Sequence, residues 1–284
     1  MIPHEQEADD APPAPRRPPR AEFVYRHRWP TRLWHWTNAL TVFIMLMSGL
    51  MIFNAHPRLY WGKYGANYDY AWLEIGGHGD RGTLRLVDLI IPTTGVLGRW
   101  TNSQGPQTRA FPSWATIPGH YDLAGARSWH FLFAWLLVVP GLMFGIVSFL
   151  NFHFQRDLAP KRGELEPRHV WQDIKDHARL RFPTGQKARN YNILQKISYI
   201  VVIFVLLPLM VLTGLTMSPG MDSAWPWLLD LFGGRQSARS IHFIVAMLIL
   251  AFILIHLLMV VLAGPFNEIR SMITGRYRLP EQRS

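Results

Sequence analysis

RSIHFIVAMLILAFILIHLLMVVLAG, residues 239–264, is an apolar run near the end of the chain, and its reading decides the fold. As a helix rising about 1.5 Å per residue, it is long enough to cross a bilayer core of about 30 Å. Beyond Arg239 at its start, two ionisable groups interrupt it, His242 and His256. At about 100° per residue, the 14 positions between them leave the imidazoles roughly 40° apart around the helix and about 21 Å apart along it. Two imidazoles on one stripe read as ligands, or equally as polar groups packed against neighbouring helices. The choice turns on whether the rest of the chain supplies partners at the same two depths.

With 284 residues and 49% hydrophobic content, the chain could be a large soluble domain or a small membrane bundle. The continuity of its apolar runs selects the bundle. There is no cysteine, which removes disulfides, thiolate zinc sites, iron–sulfur clusters and covalent attachment of c-type haem. A formal charge of +10 would point to nucleic acid in a soluble protein. Here the positive charge follows membrane topology instead, and lipid rather than nucleic acid is the expected partner.

Residues 1–22 are rich in Pro, Ala and charge, with no apolar core for a cleavable signal; they read as a disordered cytoplasmic tail ahead of a membrane domain over 23–284. Four spans are expected, over about 35–53, 129–150, 197–217 and 241–263, the second and third containing Pro140 and Pro208. The connection over 54–127 far exceeds ordinary loop length, so it is expected to fold as a cap or docking surface. Within it, LRLVDLIIPTTGVLG, residues 84–98, is too short to span and reads as an interfacial or buried segment. Lys and Arg number six before His35, ten between 151 and 196 and four after 264, which is 20 of 29 on one side of the four spans. Both termini and the 151–195 loop are therefore expected in the cytoplasm, and the 54–127 loop outside.

That topology sorts four histidines into two depths. His35 opens the first span from inside and meets His256 at the inner level; His130 opens the second from outside and meets His242 at the outer level. Paired neutral imidazoles facing each other across a bundle are what b-type haem with two histidine ligands needs. Arg32, Arg127 and Arg239 each lie three residues before one of these histidines, one turn nearer the surface, where haem propionates would emerge; ordinary interfacial arginines would look the same. Gly49 and Gly141 return to a ligand's face near the other haem level, which leaves room for a porphyrin or for helix packing. His4, His27, His56, His78, His120, His169 and His177 read as structural or solvated, and His153 rivals His35 as an inner ligand.

Four spans, a His opening each of the first two and two His 14 residues apart on the fourth resemble the bacterial di-haem cytochrome b561 family. That family includes the cytochrome b subunits of nickel-iron hydrogenase, formate dehydrogenase and thiosulfate reductase. YNILQK at 191–196, PLMVLTGLTMSPG at 208–220 and GPFNEIRSMITGRY at 264–277 add to the likeness, which covers about residues 25–280. The resemblance implies an all-α integral membrane bundle of four helices enclosing two b-type haems, with an enlarged outer loop. It also implies a quinone site beside the inner haem, at Asn192 with Gln195 and Lys196; on chemistry alone those residues read equally as a helix cap and a snorkelling lysine. Electrons would then pass between the quinone pool and a periplasmic partner, a molybdenum-dependent oxidoreductase ahead of a hydrogenase, at the bacterial inner membrane. Two rival readings are a stand-alone superoxide-oxidising or ferric-reducing cytochrome, and a non-haem transport or structural subunit with incidental histidines.

Overall fold

The computed structural model describes residues 23–152, 154, 158–161, 163–179 and 193–279. The expectations for the 1–22 tail, His4, His153, Asn192 and the His177 side chain lie outside the described residues.

Strand β1 (Phe23–Tyr25) leads into helix α1 (Trp29–Phe53), started by a proline in its first turn, Pro30, whose fixed φ suits that position. Then come β2 (Arg58–Leu59), β3 (Leu73–His78), β4 (Arg81–Leu86) and β5 (Leu89–Pro92), an antiparallel sheet in sequence order. A separate hairpin joins β6 (Trp100–Asn102) to β7 (Gly105–Gln107). Helix α2 (Leu123–Leu150) is capped by Asp122, whose carboxylate accepts from the Gly125 amide at 2.9 Å. After the short amphipathic α3 (Pro167–Ala178), the third span is built from α4 (Ile193–Val201), a π turn over Val202–Leu206 and α5 (Leu207–Thr216). Pro208 has no N–H to continue the α ladder, and the Leu207 amide reaches back five residues to Val202. Helices α6 (Pro219–Ala224) and α7 (Pro226–Leu231) precede α8 (Arg235–Ala263) and α9 (Pro265–Thr274); β8 (Arg276–Arg278) then returns to pair with β1.

Among the described residues, four helical stretches are long and apolar enough to cross a membrane: Trp29–Phe53, Leu123–Leu150, Ile193–Thr216 and Arg235–Ala263. Each begins before its apolar run, so His35, His130, His242 and His256 sit inside helices rather than at their mouths. Leu132, Leu142, Ile146, Leu254, Leu257 and Val261 remain exposed on them, a surface that lipid would cover. On α1 the buried residues Thr41, Ile44, Ser48 and Met51 share one face at helical spacing. Helix α1 packs mainly on α2, and α5 on α8, so the bundle consists of two helix pairs.

The membrane part is all-α, whereas the long connection is a β cap. Residues 84–98 are not a buried segment: they supply part of β4, all of β5 and the loop after it, and β5 is exposed throughout. Leu84 and Leu86 alternate with Arg85, a period of two that suits a strand. Gly98, at φ +73°, crosses so close to the β3–β4 hairpin that a Cβ there would lie 2.2 Å from the Gly76 carbonyl oxygen. The sheet carries a cross-strand triad in which Glu74 on β3 accepts from Arg58 Nε at 2.9 Å and also pairs with Arg85.

The cap is fastened to the start of α8. Ser240 Oγ donates to the Tyr60 carbonyl at 2.5 Å, Trp72 Nε1 donates to Ser240 Oγ at 3.0 Å, and the Gly62 amide donates to Ser237 Oγ at 2.7 Å. Phe53 stacks on Phe243 at 4.7 Å and meets Phe111 edge-on at 5.7 Å. At the opposite end, the β1–β8 pair and α9 close a floor beneath the start of α1. Arg26 bridges Glu268 at 3.5 Å, Trp36 Nε1 donates to the Met272 carbonyl at 3.1 Å, and Arg32 donates to the Ile273 carbonyl. His27 is buried in this floor, where desolvation, with Arg26 beside it, holds it down at about 4.

Candidate functional site

His130 lies two turns into α2 and His242 two turns into α8, beneath the cap; their rings face each other with centroids 6.4 Å apart, tilted by 60°. Each is held from the preceding span. His130 Nδ1 is 3.1 Å from Ser48 Oγ and 3.1 Å from the Met45 carbonyl. Ser48 has one hydrogen, which goes to the Ile44 carbonyl at 2.7 Å, so the oxygen can only accept and Nδ1 carries the proton. His242 repeats the pattern. Its Nδ1 lies 3.0 Å from Thr213 Oγ1, whose own hydrogen goes to the Leu209 carbonyl at 2.6 Å. Both imidazoles thus keep an Nε2 lone pair free for a metal.

The glycines beside those hydroxyls complete the fit. A Cβ at Gly49 would stand 3.4 Å from His130 Cε1, and one at Gly214 would stand 3.5 Å from His242 Cε1. A larger side chain at either position would press on the ring.

The second pair, His35 on α1 and His256 on α8, lies toward the floor, with centroids 6.3 Å apart and a tilt of 56°. Its surroundings are aromatic rather than hydroxylic. His256 stacks on Phe252 at 6.0 Å, Phe252 meets Tyr199 at 6.4 Å, and Trp36 sits edge-on to His35 at 5.2 Å. His35 Nδ1, Asn38 Oδ1 and Arg32 Nε are buried and have no hydrogen-bond partner among the described residues. Polar atoms left so in an apolar setting point to a group that completes the site.

The spacing within each pair would suit two imidazoles sharing a metal ion. An imidazole nitrogen would sit about 2 Å from such a metal and lies roughly 1.2 Å from its own ring centre, which would put the two centroids about 6.4 Å apart. Among the described residues no three His, Cys, Asp or Glu come together. Two donors per site suit a metal that brings its equatorial ligands with it, as haem iron does.

Residues 26–275 match the family model of prokaryotic cytochrome b561. The chain belongs to the prokaryotic cytochrome b561 family. Over 244 residues it is also 27% identical to a protein of Azospira oryzae whose name proposes it as a protein-methionine-sulfoxide reductase subunit, YedZ1, with 86% of this chain and 93% of that one covered. No solved structure matches the chain. This cytochrome b561 is a multi-pass membrane protein of electron transport that binds b-type haem, which sets aside the reading as a non-haem transport or structural subunit.

The other expected site residues of the cytochrome fall into different places. Arg239 donates through Nη1 to the Arg58 carbonyl at 2.8 Å and through Nη2 to the His56 carbonyl, with its guanidinium 5.5 Å from the Phe53 ring centre; it clasps the cap. Arg32 ties α1 to α9 while its Nε stays buried and unpartnered. Arg127 is exposed at the start of α2. Gly141 gives room to a tryptophan, since its Cβ would lie 3.3 Å from the Trp34 ring, and faces neither histidine pair. Lys196 is buried and bridges Glu164 at 2.8 Å, so it does not snorkel; that contact holds the Glu164 carboxyl below its usual range. Gln195 lies beside it, half-buried, on α4.

Sequence reasoning missed Ser48, Thr213 and the carbonyl of Met45. A signal was there: MLMSGL at 45–50 and MVLTGL at 210–215 share the pattern Met-x-x-Ser/Thr-Gly-Leu. Six residues inside apolar spans of more than twenty do not stand out as a repeat.

Proposed function

We propose that the chain is a di-haem cytochrome b that carries electrons between a membrane quinone and a redox enzyme docked on the cap. The observation that carries this is the pair of imidazole couples, 6.4 Å and 6.3 Å between centroids, each assembled from two different helices at two levels of one bundle. Bound haem supplies one-electron chemistry at each level. The protein supplies four neutral imidazoles, fixes their directions and keeps the interior dry.

At the floor side, Lys196 and Tyr199 lie one turn apart on α4, and Tyr199 reaches the aromatic stack on His256 through Phe252. This supports a quinone site beside the floor pair, formed with Asn192 and Gln195, where polar side chains meet a quinone oxygen at the membrane edge. Arg32 Nε and Asn38 Oδ1, buried and unpartnered, are available to polar groups of haem or quinone at that level. At the cap side, Trp61, Tyr64, Tyr68 and Trp114 are exposed on a surface fastened directly to the helix that carries His242. Exposed aromatics suit a protein partner. The relative named for a reductase subunit supports an oxidoreductase there; the family resemblance makes it a molybdenum-dependent enzyme before a hydrogenase. The distribution of Lys and Arg supports a topology with both termini in the cytoplasm and the cap in the periplasm, in a bacterial inner membrane.

The test is to purify the protein from a haem-sufficient host, measure haem per polypeptide, and add a quinol anaerobically while recording the spectrum. Two haems per chain, reduced by quinol through one of them first, is the expected result. Protein without haem sinks the proposal; haem that quinol does not reduce sinks its quinone half.

A further inference from the structure

The two Met-x-x-Ser/Thr-Gly-Leu segments do the same task on equivalent helices. Ser48 on α1 receives the Nδ1 proton of His130 from α2, and Thr213 on α5 receives that of His242 from α8. In both, the hydroxyl hydrogen is already committed to the carbonyl four residues earlier, at 2.7 Å and 2.6 Å. At His130 the carbonyl three residues earlier, Met45, accepts as well. In both, the next residue is a glycine whose missing side chain admits the ring at Cε1. The floor pair has no such device: His35 Nδ1 is buried with no partner among the described residues.

From this we infer that Ser48 and Thr213 are positioning residues that tune the cap-side haem alone, turning Nε2 of His130 and His242 toward one iron and making both rings stronger donors. The inference rests on the haem reading above. An acceptor on Nδ1–H leaves more electron density on Nε2, which favours oxidised iron over reduced iron and lowers the midpoint potential. Because ligation is through Nε2, and the Met45 carbonyl still accepts from His130 Nδ1, removing one hydroxyl weakens the effect without abolishing ligation.

The experiment is a redox titration of the full-length holoprotein in detergent, with near-infrared and low-temperature magnetic spectra, for wild type, Thr213→Val, Thr213→Ser and Ser48→Ala. The cap-side haem is identified as the one missing in His242→Ala. In Thr213→Val its midpoint is expected to rise while the other haem's stays fixed and haem content stays at the wild-type level. Thr213→Ser is expected to return it to the wild-type value, and Ser48→Ala to move the same haem in the same direction. Should Thr213→Val lose haem, the Ser48→Ala shift and retention of haem by Thr213→Ser carry the same conclusion. Unmoved midpoints at full haem content in both Thr213→Val and Ser48→Ala would overturn the inference and leave the haem reading intact, as would a shift confined to the other haem. A wild-type protein that binds no haem would instead overturn the reading beneath it.

Discussion

The cap-side and floor-side histidine pairs have the same separation, 6.4 Å and 6.3 Å, in unlike surroundings. Beneath the cap each ring is gripped at Nδ1 by a hydroxyl of the neighbouring span, and His130 by the Met45 carbonyl too; toward the floor the rings lie among Trp36, Phe252 and Tyr199. When Ser48 is matched to Thr213 and His130 to His242, the positions corresponding to His35 and His256 are Ile200 and Phe144. The likeness between the two helix pairs therefore stops at the cap-side level. The difference teaches that helix placement sets the distance between ligands, while the neighbours at Nδ1 set their direction and basicity.

The comparison is broken most completely by removing ligands. His130→Ala and His242→Ala are each expected to lose the same haem, and His35→Ala and His256→Ala the other, so every variant falls from two haems per chain to one. Pyridine haemochrome content with reduced-minus-oxidised spectra checks this. If His130→Ala and His256→Ala lost the same haem, the pairing read from the ring distances would be wrong.

A smaller effect is expected on the floor side alone, from Glu164→Gln. The Lys196 side chain is 6% exposed, so this change leaves a cation buried without its counter-ion. Breaking such a pair costs about 3 kcal/mol. Lys196→Met removes both the charge and its need for a partner and is expected to cost less. The thermal midpoint of the purified protein ranks the two, and the cap-side haem spectrum is expected to be unchanged in both.

Much of this was legible in the sequence because lipid imposes simple rules. A bilayer demands apolar helices of fixed length, so four spans and the depths of His35, His130, His242 and His256 follow from counting. The cap was not legible in the same way: residues 84–98 look apolar enough to be buried, yet Leu89 and Ile90 of β5 are exposed, and their strand is specified by pairing with β4, a contact that the local pattern does not announce. Arg239 sits where a propionate contact was expected, one turn before His242, and binds the His56 and Arg58 carbonyls. Sequence spacing gave its height and could not give its neighbours. Ser48 and Thr213 escaped for another reason, since hydroxyls inside a membrane helix ordinarily bond to their own backbone, and these do that as well.

Arg239→Ala sharpens the contrast from the cap side. It leaves the carbonyls of His56 and Arg58 short of a donor at the junction of cap and α8, at a cost of about 2 kcal/mol. Limited proteolysis is expected to cut within residues 54–122 several times faster than in wild type, with the floor-side haem spectrum unaltered. Equal cleavage rates would show that Ser237, Ser240 and the Phe53–Phe243 stack fasten the cap without it.

The smallest effect expected is one of pH, again confined to the cap. Burial by itself would raise the Glu74 carboxyl, but hydrogen bonds from Arg85 and Arg58 outweigh it and hold the group below its usual range. A carboxylate whose folded pKa is depressed contributes stability that is fully present above its unfolded value and is lost as the pH falls through the depressed one. The cap is thus expected to be insensitive from neutral pH down to the ordinary carboxylate range and to loosen only below it. Glu74→Gln is expected to remove about 1 kcal/mol at neutral pH and to flatten the acid limb. Hydrogen exchange of the β3 and β4 amides, followed as the pH is lowered, checks both. An acid limb of unchanged steepness in Glu74→Gln would assign the loosening to some other carboxylate, and a limb that reached the floor-side haem would show that cap and floor do not respond independently.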